Sequence, residues 1–110
     1  MNKIYVKDVI NSKIAVSPEK GETLYKFIVN ELSTKKPFYL SFSDVEDTTT
    51  AFLNKAIGNL YNNFSSEELN KYLSIIDLDD LDKYLLKKVI TRAKVDIKNI
   101  SEIDEVLENE

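Results

Sequence analysis

Residues 37–42 constrain the fold more than any other stretch of this chain. Phe38, Leu40 and Phe42 alternate with Tyr39 and Ser41. Only a strand, with its two-residue period, sends those three large side chains to one face. Pro37 marks the entry to this strand, which we take as the central one. The chain then leaves the sheet through residues 43–47, where Asp44, Glu46 and Asp47 surround Val45. Thr48, Thr49 and Thr50 follow, and any one of their hydroxyls suits a helix N-cap. Leu53, Ala56, Ile57, Leu60 and Phe64 then recur at helical spacing, with Phe52 and Tyr61 beside them. Gly58 lies on this helix and suggests close packing. A strand that passes to a helix through a polar corner is an α/β unit, so the rest of the chain has to supply strand partners and covering helices.

The flanking segments supply them. Near the start, Ile4, Val6 and Asp8 fall on one face and Tyr5, Lys7 and Val9 on the other, as in a strand. Asn11 and Ser12 suit a turn, and residues 13–16 are expected to return as a second strand, giving a hairpin. Ser17, Pro18 and Glu19 read as N-cap, first helical residue and dipole-matched acid. Leu24, Phe27, Ile28 and Leu32 form the stripe of that helix, and Gly21 within it implies a close helix–strand approach. Ser65 and Glu68 have capping-box spacing for a short helix carrying Leu69, Tyr72 and Leu73. Residues 74–78 (SIIDL) read as a strand. A last long helix begins near Asp79 or Asp80, with Leu81, Leu85 and Val89 in line. Asp80 and Asp82 fall early in it and Lys87, Lys88 and Arg92 later, which complements the helix dipole. Residues 94–100 read as fraying helix or a short extended piece, and 101–107 as one or two further helical turns. The expected order is β-β-α-β-α-α-β-α, an α/β domain with a mixed four-stranded sheet over residues 1–100 and an acidic C-terminal tail over 101–110.

Composition narrows the chemistry. The chain of 110 residues is long enough for one core and too short for two. It has no cysteine and no histidine, which removes disulfides, thiolate nucleophiles, the usual neutral-pH acid/base and the commonest metal ligands. Residues 101–110 hold Glu102, Asp104, Glu105, Glu108 and Glu110 and no cation, so the tail carries −5 against a net charge of −4 for the whole chain, and the remaining body is near neutral at +1. Neither nucleic acid nor a membrane is the expected partner. The apolar runs are too short to span a bilayer, no signal-peptide pattern opens the sequence, and a cytoplasmic setting is expected. Asp44, Glu46 and Asp47 begin like a calcium loop but lack the glycine and the later glutamate that would complete it. No metal, cofactor or catalytic residue is assigned.

The run LSFSDVEDTTTAFLNKAIGNLY resembles the strand–loop–helix signature of STAS domains, the fold of anti-sigma-factor antagonists. It is closer still to a bacterial and phage family of STAS-like domains of unknown function. The resemblance rests on Phe42 and Val45, on Thr48, Thr49 and Thr50, on the Phe52-Leu53 pair and on Gly58. Ser17 and Gly21 match the start of the family's first helix, although Pro18 stands where an arginine is common. Residues 75–94 fit its closing strand and helix. The similarity extends over roughly residues 4–95.

In STAS antagonists an Asp-Ser-Ser opens the second helix, and a histidine-kinase-like ATPase phosphorylates one serine. The resemblance sets Asp47 on the aspartate and Thr48 and Thr49 on the serines, with Thr49 nearest the modified position. It thus implies a non-enzymatic regulatory module that binds another protein. Thr49, Thr48 and Thr50 are the candidate phosphoacceptors. Asp44, Glu46, Asp47, Phe52, Lys55 and Asn59 are the candidate partner-binding residues. A phosphate at a helix N-terminus meets unpaired N–H groups, so modification is expected to leave the domain folded and to change only its interface. The expected partner is such an ATPase. Two other readings stand beside this one: an interaction protein of a phage or mobile element that serves or counters a defence or toxin system, and a small-ligand binder or enzyme with an unfamiliar site.

Overall fold

The structure, a computed structural model, describes the backbone of residues 2–108 and the side chains of residues 2–94. Its elements are β1 (Asn2–Tyr5), α1 (Val6–Val9), β2 (Ile14–Ala15), α2 (Pro18–Leu32), β3 (Phe38–Ser41), β4 (Asp47–Thr48), α3 (Thr50–Ala56), α4 (Ser66–Tyr72), β5 (Leu73–Ile76) and α5 (Asp80–Glu108). A 3-10 helix, Gly58–Asn62, lies between α3 and α4.

The strands make two small parallel sheets, in the orders β1-β3-β5 and β2-β4, and not one mixed sheet of four. The expected hairpin is also absent. Val6, Val9 and Ile10 have helical as well as strand spacing, and the helical alternative prevails. The Ile10 amide donates to the Val6 carbonyl at 3.0 Å, closing a single turn in which Val6 and Ile10 are buried. The Lys20 ammonium covers the exposed end of that turn by donating to the Ile10 carbonyl. β1 therefore stops at Tyr5 and pairs with β3, while β2 is carried away to meet β4.

β3 is central, as its pattern requires. Phe38, Leu40 and Phe42 are buried, and Ile4, Leu73 and Ile75 pack with them. Ser17 caps α2, accepting from the Lys20 amide with Pro18 next, and Ser65 and Glu68 form the capping box of α4. Asp79 caps α5 by accepting from the Asp82 amide at 2.8 Å.

The helix expected after the threonines does not run unbroken to Phe64. It ends at Ala56, and Gly58 begins the tighter 3-10 turn. That turn brings the buried Gly58 and Leu60 against α5, where a Cβ on Gly58 would lie 3.3 Å from Val89 Cγ1. At Gly21 the approach is closer. A Cβ there would lie 2.8 Å from both the Phe52 carbonyl oxygen and Lys55 Cβ, so the glycine is what lets α2 cross α3. The neighbour is a helix and not the expected strand.

Candidate functional site

The corner between β3 and α3 is fixed from several sides. After β3 the chain reverses at Asp44, whose φ of 64° is left-handed, a conformation aspartate tolerates better than most residues. The Asp44 carboxylate accepts from the Lys7 ammonium of α1 at 2.6 Å. That hydrogen bond, and then the lysine's charge, hold the Asp44 carboxyl below its ordinary range, and the same bond raises Lys7. The Glu46 amide donates to the Lys13 carbonyl at 2.8 Å. Asp47 and Thr48 then pair with Ile14 and Ala15 as β4. The side chains of Asp44, Glu46 and Asp47 all face solvent.

The three threonines have three different roles. Thr48 is buried, and its hydroxyl donates to the Ala15 carbonyl at 2.9 Å. Its place among the candidate phosphoacceptors is corrected: a kinase cannot reach a hydroxyl that is buried and bonded to β2. Thr49 is half-buried and caps α3. Its hydroxyl accepts from the Phe52 amide at 3.2 Å and donates to the Val16 carbonyl at 3.0 Å. Thr50, the first residue of α3, is exposed.

Among the partner-binding candidates, Phe52 is corrected too. It is fully buried among the core side chains and has no surface to offer. Lys55 is exposed one turn along α3. Asn59 is half-buried and uses its amide to donate to the Lys55 carbonyl at 3.3 Å. The corner thus presents Asp44, Glu46, Asp47, Thr50 and Lys55 to solvent, with Thr49 just beneath.

A second polar arrangement closes the same end of the larger sheet. Ser41 is fully buried, donates to Asp77 at 2.5 Å and accepts from the Ser43 amide. Asp77, at φ 63°, turns the chain out of β5 much as Asp44 does after β3. Lys3 lies 3.7 Å from Asp77. Sequence reasoning missed this pair. The available signal was a lone small polar residue on the second face of a central strand.

Acidic side chains also gather at the start of α5. Burial, and then the charges of Asp79 and Asp47, push the Asp82 carboxyl above its ordinary range. Among the described residues no group of three acidic, histidine or cysteine side chains has an arrangement that could hold a metal ion. Residues 43–50 line neither of the two grooves that share Lys87 and Thr91 of α5.

The family model described as a STAS-like domain of unknown function (DUF4325) matches residues 20–83, more than half of the chain. The chain belongs to this family. The matched part of the STAS-like domain runs from the first turn of α2 to the first turn of α5, and it contains the whole corner. No curated protein and no solved structure matches the chain. No described helix is long and apolar enough to cross a membrane.

Proposed function

We propose that this STAS-like domain is a non-enzymatic regulatory module that binds a protein partner through the corner formed by residues 44–55. One observation carries the reading. Three carboxylates point to solvent from a backbone that is pinned to α1 by Lys7, to residue 13 by a backbone bond and to β2 by strand pairing. A surface held in this way loses little conformational freedom on docking, so its charges can be spent on recognition. Its acidity suits a basic partner surface and steers the encounter.

Phosphorylation would act differently at the two accessible hydroxyls. On Thr50 the phosphate would stand in solvent beside Asp47 and deepen the negative charge, leaving the fold unchanged. On Thr49, the position aligned with the STAS phosphoserine, the hydroxyl would lose its proton and with it the bond to the Val16 carbonyl. The phosphate would then repel that carbonyl and loosen the β2–β4 pair. The switch at Thr49 is therefore conformational as well as electrostatic, which revises the expectation of an unaltered domain. A histidine-kinase-like ATPase is the partner class that the STAS resemblance supports.

The test is mass spectrometry of the protein purified from its native cell, together with its co-purifying proteins. Phosphate on Thr49 or Thr50 and a partner lost in Thr49→Glu support the proposal. A partner retained by a variant carrying Asp44→Lys, Glu46→Lys and Asp47→Lys removes it.

A further inference from the structure

α5 carries a block of positive charge that makes no ion pair among the described residues. Lys83, Lys87, Lys88, Arg92 and Lys94 are all exposed, and no acid lies between Lys83 and Lys94. Two open grooves, of about 480 and 510 Å³, flank this stretch, and Lys87 and Thr91 line both. Tyr84 and Leu81 are 58% and 65% exposed beside them, so the face is apolar as well as basic. Its complement lies in the same sequence, in the five acids and no cations of residues 101–110.

One chain cannot bring its own two blocks together. α5 runs as a single helix from Asp80 to Glu108. At 1.5 Å per residue, Glu105 lies roughly 20 Å along the axis from Arg92. The acids that fit this face must come from another molecule.

We propose that α5 pairs antiparallel with α5 of a second copy. Residues 101–110 of each copy would then lie along Lys83 to Lys94 of the other. The arrangement is isologous, so one twofold axis satisfies both blocks at once. The midpoint between the blocks falls near residue 97. There Val95 is in helical register with Tyr84 and Thr91. Parallel pairing would set like charges against each other in both blocks. The contact uses α5 from Lys83 onward and none of residues 44–55 that form the corner.

Sedimentation velocity of the full chain over a range of concentration and salt tests this. The wild type is expected to dimerise at low salt and to dissociate as salt screens the exposed charges. Lys87→Glu, Lys88→Glu and Arg92→Glu together should weaken the dimer about tenfold or more, and so should Glu102→Lys, Asp104→Lys and Glu105→Lys together. Mixing the two variants should restore a dimer, because each then presents the charge the other lacks. Circular dichroism of each variant separates loss of pairing from loss of helix. A wild type that is monomeric at every concentration overturns the proposal. So does a dimer that persists in both variants, since another face would then hold it, or a mixture that stays monomeric while both variants remain folded.

Discussion

The segment running from α3 into the 3-10 turn is held at its two ends in unlike ways. At the N-terminal end the contacts involve backbone. Gly21 of α2 lies where a Cβ would strike the Phe52 carbonyl, Thr48 bonds the Ala15 carbonyl, and Thr49 bonds both Phe52 and Val16. At the other end a Cβ on Gly58 would have side-chain atoms as its nearest neighbours, Val89 Cγ1 at 3.3 Å and then Asn54 Oδ1 at 3.5 Å. Backbone cannot move aside without dragging an element with it, whereas a valine methyl can yield by a few tenths of an ångström. The part of the helix that presents the acidic corner is therefore the rigid part, and the part facing α5 has some give.

Mutations at the two ends should separate them. The largest effect is expected for Gly21→Ala, about 2 kcal/mol of destabilisation in urea unfolding, because overpacking against a carbonyl outweighs the gain in helix propensity. Thr48→Val should cost about 1 to 2 kcal/mol, since the buried Ala15 carbonyl loses a donor that water cannot replace. Thr49→Ala should cost about 1 kcal/mol and speed hydrogen exchange at the Phe52 amide, while Thr49→Ser, which keeps the cap, should restore most of it. Gly58→Ala should stay within about 0.5 kcal/mol of wild type. A Gly58→Ala loss as large as that of Gly21→Ala would break the contrast.

The smallest effects concern pH, and they run in opposite directions. Asp44 has a lowered carboxyl pKa, so its contribution is present above the unfolded carboxylate range and is lost as pH falls through its folded value. Asp82 has a raised one, so its contribution is present at low pH and is lost as pH rises through its folded value. Relative to wild type, Asp44→Asn should therefore lose stability as pH rises through the acid range, and Asp82→Asn should gain it. Asp44 is exposed and Asp82 only partly buried, so the slopes will be shallow. Unfolding curves collected from acid to neutral pH check the signs.

Much of this fold could be read in the residues because local and long-range preferences agree there. The alternation in residues 38–42, the Ser17-Pro18 start, the Ser65–Glu68 box and the SIIDL strand each satisfy one pattern only. The N-terminus failed because Val6, Val9 and Ile10 satisfy two periods at once, and tertiary pairing of β1 with β3 decided between them. β2 and β4 have two residues each, too few for a period to register, so their separate sheet was illegible. At the corner, residue type identified the segment but not its exposure. Three consecutive threonines look alike in sequence, yet strand pairing buries Thr48, the helix start engages Thr49, and Thr50 remains at the surface. Phe52 looked available beside an exposed loop, but α2 crosses directly over it.

The direct test of the account is a quantitative comparison of the proteins bound in the native cell by three forms of this chain: wild type, the triple lysine variant of Asp44, Glu46 and Asp47, and the triple glutamate variant of Lys87, Lys88 and Arg92. The account predicts that the corner variant, still folded, loses the partner, while the α5 variant keeps it. Retention of the same partner by the folded corner variant would contradict it.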